Sequence, residues 1–117
     1  MTDDRLTRLL CRFAAAAEVH AAAVEAMDAE KATRHALVLQ GLHREIVLTG
    51  EAGREGLLHL VDSGRKAVAG MAAVYSLRYS PDRAAAVLRR LSAEGGLLGF
   101  RAAMALERWE RGEWDLE

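Results

Sequence analysis

The stretch GLLHLV at residues 56–61, followed by a double alanine at 72–73, decides the fold of this chain. The pattern returns about thirty residues later, where AVLRRL at 86–91 is followed by a double alanine at 102–103. Each unit is typical of a helix, a short turn and a second helix with alanines at its packing point. Hairpins repeated at this spacing stack into a solenoid, which usually presents a surface rather than a catalytic pocket. The pattern predicts an all-α protein, built as a short α-solenoid.

Apolar residues at helical spacing, with turn residues between them, predict about six helices. The first has an apolar stripe that runs from Leu6 to Met27, and the fourth is apolar nearly all round, as in a helix sandwiched between neighbours. Ser63 and Ser80 are the expected N-caps of the fourth and fifth helices. The predicted helices cover about 3–28, 31–48, 51–62, 65–79, 81–93 and 97–111. We expect one domain over 1–117, with an N-terminal hairpin 3–49, repeat hairpins 51–79 and 81–111, and an acidic tail 112–117.

The composition favours a soluble protein. With 16 basic and 17 acidic residues the formal net charge is -1, which is not typical of a general nucleic-acid binder. The lone Cys11, which we expect to be partly buried beside Leu10 and Phe13, excludes an internal disulfide and fits a reducing compartment. No signal peptide or membrane-spanning stretch is evident, so we expect a cytoplasmic location.

The charges are unevenly distributed along the chain. Residues 64–111 contain nine bases against four acids, which favours an acidic partner surface. Tyrosine and arginine are also the residue types that tend to anchor interfaces. The sequence therefore predicts contacts with another protein at Arg65, Lys66, Tyr79, Arg89, Arg101 and Arg108.

Chemistry-bearing residues form only weak patterns. Glu55, His59 and Asp62 fall on one helical face, where such groups can hold a metal or position a general base, but the nearby Glu51 and Arg54 favour a solvated, charge-paired face instead. The four histidines form no metal cluster by their spacing, so backbone carbonyls or solvent are their expected partners. We therefore expect no catalytic residue and no metal or other cofactor. Gly53 and Gly56 are interpreted as positions of close helix packing.

The C-terminal half resembles a known family. The residues that carry the resemblance are the two double alanines, Leu77, Pro81, Ala84 to Ala86, Leu88, Leu91, Gly95, Gly99, Leu106, Trp109 and Gly112. They are similar to the domain of unknown function 2019 family of small bacterial proteins, whose members resemble HEAT-like or armadillo-like helical stacks. The resemblance spans about residues 6–112 and implies that fold, but no catalytic residue, because the family has no assigned activity.

Three functions remain open from the sequence. The first is a non-enzymatic binding module, for instance an immunity-type or adaptor protein, which would be a monomer or a homodimer. The second is binding of the nucleic-acid backbone through the basic C-terminal hairpins, and the third is a lyase similar to HEAT-like bilin lyases. Trp114, in the acidic tail, either packs over the last hairpin or contacts a partner.

Overall fold

The computed structural model describes residues 4–113, and this range is helical apart from short turns. The all-α prediction with six helices is thereby confirmed for the described part of the chain. The helices are α1 Asp4–Glu25, α2 Ala29–Leu48, α3 Glu51–His59, α4 Lys66–Ser76, α5 Pro81–Glu94 and α6 Gly96–Glu110, and a 3-10 turn Leu60–Asp62 follows α3. None of these helices combines the length and the apolar character that crossing a membrane requires.

The contacts divide the chain into two compact units, Met1–Leu57 and Leu58–Glu117. The division falls within α3, and therefore inside the hairpin predicted over 51–79. The single helical-repeat domain stays a prediction.

In the first unit α1 and α2 pack against each other around Phe13, Leu39 and Ile46, which are almost completely buried. A Cβ atom added at Gly56 would lie 2.6 Å from Cδ1 of Leu10, and one added at Gly53 would overlap the Ile46 carbonyl. Both glycines are therefore positions of close approach, as predicted.

Cys11 is exposed, so the prediction that it is partly buried is wrong. Leu9 and Phe13 are buried on the inner face of α1. At 3.6 residues per turn, a residue two positions from each of them points to the opposite side of the helix.

The second unit is built around α4. This helix contacts the 3-10 turn, α5 and α6, which confirms the prediction of a sandwiched helix. Its small residues Ala69, Ala72 and Ala73 are fully buried, so the neighbouring helices approach it closely. Leu88 and Leu91 of α5 complete this core.

The turn between α1 and α2 differs from the prediction. Helix α1 ends at Glu25, and Met27 is 89% exposed with a positive φ of 59°, so placing Met27 in the buried stripe was wrong. The amide of Asp28 donates to the Ala23 carbonyl and that of Met27 to Val24, the pattern of a Schellman cap. Asp28 then caps α2 through its Oδ1 atom, which accepts from the Lys31 amide at 3.1 Å.

Of the two predicted serine caps, Ser63 is wrong, whereas Ser80 is confirmed in position but not in its hydrogen bond. The N-cap of α4 is Arg65, whose amide donates to Ser63 Oγ at 3.1 Å, so Ser63 closes a turn just before the helix. Ser80 does occupy the N-cap of α5, but its side chain makes no capping hydrogen bond. Pro81 at the first helical position, with its fixed φ, begins α5 instead.

Candidate protein-binding surface

Helix α6 is buried on one side by small residues. A Cβ atom added at Gly99 would lie 2.7 Å from the Leu91 carbonyl oxygen, so the glycine lets α6 approach the backbone of α5. Ala102 and Ala105 are buried on the same side. This contact fixes which side of α6 faces outward. Leu98, Leu106 and Trp109 are half-buried.

The opposite side of α6 exposes a mixed apolar and basic band. Leu97, Phe100 and Met104 are 41%, 62% and 43% exposed, respectively. Arg101 and Arg108 are exposed on the same side, since residues three, four and seven apart share a helix face. We call this band the α6 stripe: Leu97, Phe100, Arg101, Met104 and Arg108.

The sequence predicted the two arginines of the α6 stripe but not its apolar residues. The sequence does contain a signal for their exposure. Phe100 directly follows Gly99 and Met104 lies two residues beyond Ala102, so neither lies on the helix face that the small residues form. Large apolar side chains among alanines are easily interpreted as core.

Other predicted contact residues are engaged in ion pairs within the chain. Lys66 Nζ lies 2.8 Å from Glu94 Oε1, and Arg89 Nη2 lies 3.5 Å from Glu110 Oε2. The hydrogen bond from Lys66, with help from its charge and that of Arg90, holds the pKa of Glu94 below its ordinary value. By contrast, no ion pair joins Arg101 to another residue within 4–113.

Arg65 and Tyr79 lie at opposite ends of α4. Arg65 precedes the first residue of the helix and is exposed, whereas Tyr79 is half-buried in the turn that follows it. Eleven helical residues separate them, a distance of about 16 Å along the axis. The six predicted residues therefore do not form one cluster on a single helix face.

The candidate catalytic and metal-binding residues are solvent-exposed or paired. Glu55 and His59 are exposed on α3, and Asp62 Oδ2 accepts a hydrogen bond from Arg83 at 2.7 Å. Nδ1 of His35 lies 3.0 Å from the Lys31 carbonyl oxygen, the kind of backbone partner that we expected. Within residues 4–113 no three His, Cys, Asp or Glu side chains come together in a group that could hold a metal ion.

The fold and the α6 stripe define an all-helical protein with an exposed apolar and basic helix face. Its structure is similar to the crystal structure of the protein RPA1889 from Rhodopseudomonas palustris, with a TM-score of 0.83 at 20% sequence identity. The similarity covers 94% of this chain and 92% of that one, and at this identity it shows the fold alone.

No family model and no curated protein matches the sequence. The resemblance to the domain of unknown function 2019 family therefore stays a prediction. Trp114 and the acids Asp115 and Glu117, on which the predicted role of the tail depends, lie outside the described residues.

Proposed function

We propose that this chain is a non-enzymatic protein-binding module that holds an acidic partner protein on the α6 stripe. The observation that carries the proposal is Phe100, which is 62% exposed between Leu97 and Met104 and directly beside Arg101. Contiguous exposed apolar side chains mark interaction sites, and aromatic and arginine residues are the most frequent anchors of interfaces. Burying an exposed Phe side chain contributes about 2 kcal/mol before the costs of association.

The charge of the α6 stripe specifies the chemistry of the partner. Arg101 forms no ion pair with another described residue, so its guanidinium is available to bind a carboxylate in a two-pronged hydrogen bond. Arg108, one turn beyond Met104, adds a second positive charge on the same face. The partner surface is therefore an apolar patch bordered by aspartate or glutamate.

The repeat pattern of the sequence supports a rigid binding scaffold. In a stacked helical-repeat protein of the HEAT-like or armadillo-like kind, each hairpin is braced by its neighbours, so binding proceeds with little change of backbone. An immunity-type or adaptor role, in which a small bacterial protein sequesters its partner in the cytoplasm, is consistent with this proposal by analogy of size and fold.

The ion pairs weigh against the nucleic-acid alternative. A phosphate-binding surface requires several accessible cations, and Lys66, Arg89 and Arg111 each lie against a carboxylate of the same chain. The lyase alternative depends on Glu55, His59 and Asp62, of which Asp62 already pairs with Arg83. Neither alternative has an observation comparable to the α6 stripe in its favour.

Affinity purification from the native host tests the proposal. The tagged protein, treated with nuclease, is compared with the variants Phe100→Ser and Arg101→Glu, and with Met27→Gln as a control at an exposed apolar residue of another surface. We expect one dominant protein to co-purify with the wild type and with the control, and to be lost in both α6 variants. A partner retained by both α6 variants, or replaced by nuclease-sensitive material, would contradict the proposal.

A further inference from the structure

Helix α2 also exposes a band of apolar residues. Leu37, Val38 and Leu48 are 62%, 43% and 82% exposed, respectively. Gly41 lies between them on the same side, and a Cβ atom added there would have nothing within 4 Å. This face of α2 therefore carries exposed apolar side chains, with an open position near its middle where another helix can approach closely, since the side chains at a contact set the distance between helices.

Two opposite charges flank this open position. Arg34 and Glu45 lie eleven residues apart, close to three full turns, so they lie on one line along the helix, between Gly41 and Val38 around it, at a distance of about 16 Å. Arg34 forms no ion pair with another residue of the described range. Glu45 binds Arg5 through Oε1 at 3.0 Å, while its side chain remains 49% exposed.

We propose that this face of α2 binds a second copy of the chain, with the two α2 helices antiparallel. A two-fold axis passing between Leu39 and Gln40 brings Arg34 of each copy opposite Glu45 of the other, because both lie on the same line along the helix at equal distances from the axis. The same axis places Val38 of each copy at the same height as the opening at Gly41 of the other.

The charge pattern favours a second copy over an unrelated partner. Arg34 and Glu45 are complementary to the same two residues of a second copy in the antiparallel arrangement, and two ion pairs then form on either side of Val38 and Gly41. A uniformly acidic or basic protein would face a like charge at one of the two ends, which disfavours binding. This dimer does not depend on the α6 stripe, and each dimer carries two such stripes.

Charge exchange between the two positions tests the proposed dimer. The molar mass of the full chain is measured by sedimentation and light scattering from about 1 μM to about 1 mM, a range that covers weak specific association. The variants are Arg34→Glu and Glu45→Arg, each alone and mixed in equal amounts, and circular dichroism checks that each is folded. Arg5→Ala is the control, because it removes the internal partner of Glu45 and leaves Arg34 unchanged.

We expect the wild type and Arg5→Ala to dimerise and each charge variant alone to have at least tenfold weaker self-association. Mixing the two charge variants should restore a dimer that contains one copy of each, since the acid introduced at position 34 of one copy would then face the base introduced at position 45 of the other. A wild type that stays monomeric throughout the range overturns the proposal. The proposal is also overturned if both single variants still dimerise as the wild type does, or if mixing the two variants does not restore the dimer.

Discussion

Met27 has a backbone conformation that favours glycine. It occupies the left-handed position after α1, with φ of 59°, and its side chain is 89% exposed, so it gains little from packing. Replacing it with glycine relieves the steric cost of this conformation, and we expect Met27→Gly to raise the free energy of unfolding by about 1 kcal/mol.

Chemical denaturation checks this prediction, with Met27→Ala as the matched control. Alanine removes the long side chain but retains the Cβ atom that opposes a positive φ, so no comparable gain is expected. An equal gain in the two variants would show that the exposed side chain, rather than the backbone, is the source of the effect.

Ser76 is a buried polar residue without compensation. It is 1% exposed at the end of α4, and its hydroxyl has no hydrogen-bond partner among the described residues. An unpaired buried hydroxyl is costly and alanine is the better helix former, so Ser76→Ala should raise the free energy of unfolding by about 1 kcal/mol.

The control for Ser76 is Ser92→Ala, at a half-buried serine of α5. This control gains helix propensity alone, about 0.5 kcal/mol. The change in the free energy of unfolding of each variant is measured by thermal or chemical unfolding. A loss of stability in Ser76→Ala would mean that the hydroxyl does have a partner.

Within the helices, two glycines have opposite roles. Gly41 is in the middle of α2 with open space where a Cβ atom would stand, so alanine there should stabilise the chain by about 1 kcal/mol. At Gly99 of α6 the added Cβ would lie 2.7 Å from the Leu91 carbonyl oxygen, so Gly99→Ala should destabilise it by about 2 kcal/mol. The unfolding of each variant is measured in the Arg34→Glu background, where the proposed dimer does not contribute. Stability changes of the same sign would contradict this assignment.

The ion pair between Lys66 and Glu94 links α4 to α5 and depends on pH. Because the folded-state pKa of Glu94 lies below its ordinary value, its contribution to stability is present above the ordinary pKa and is lost as the pH falls through the folded-state value. The free energy of unfolding, measured at a series of acidic pH values, should therefore fall less steeply with decreasing pH in Glu94→Gln than in the wild type. Identical slopes would mean that the pair contributes nothing in solution, as many exposed pairs do.

The existence of the helices was predictable because their apolar periodicity is local in the sequence. The residues at which they begin and end were harder to predict. The stripe from Leu6 through Phe13 predicts the buried face of α1, but the prediction extended the helix through Met27 because methionine continues the apolar pattern. The Schellman hydrogen bonds from the Met27 and Asp28 amides instead end α1 at Glu25. Ser63 shows the same limit, since a serine before a helix serves equally well as a cap or as a turn.

For the molecule as a whole, the sequence predicted part of the candidate surface. Arg101 and Arg108 follow from the charge distribution, but whether a cation is engaged depends on which acid the fold brings beside it. Lys66 and Glu94, or Arg89 and Glu110, are too distant in the chain for spacing to reveal their pairing. The exposure of Phe100 likewise depends on Gly99, which turns the opposite side of α6 toward α5.

The most direct test of the α6 stripe as a binding surface is oxidative footprinting of the complex with the co-purified partner. Met104 and Phe100 carry side chains that hydroxyl radicals modify readily, and Met27 provides an internal control at 89% exposure. Labelling of Met104 and Phe100 should fall several-fold when the partner is bound, while labelling of Met27 stays unchanged. Unaltered labelling of Met104 and Phe100 in a saturated complex would contradict the account, because the partner would then occupy another surface.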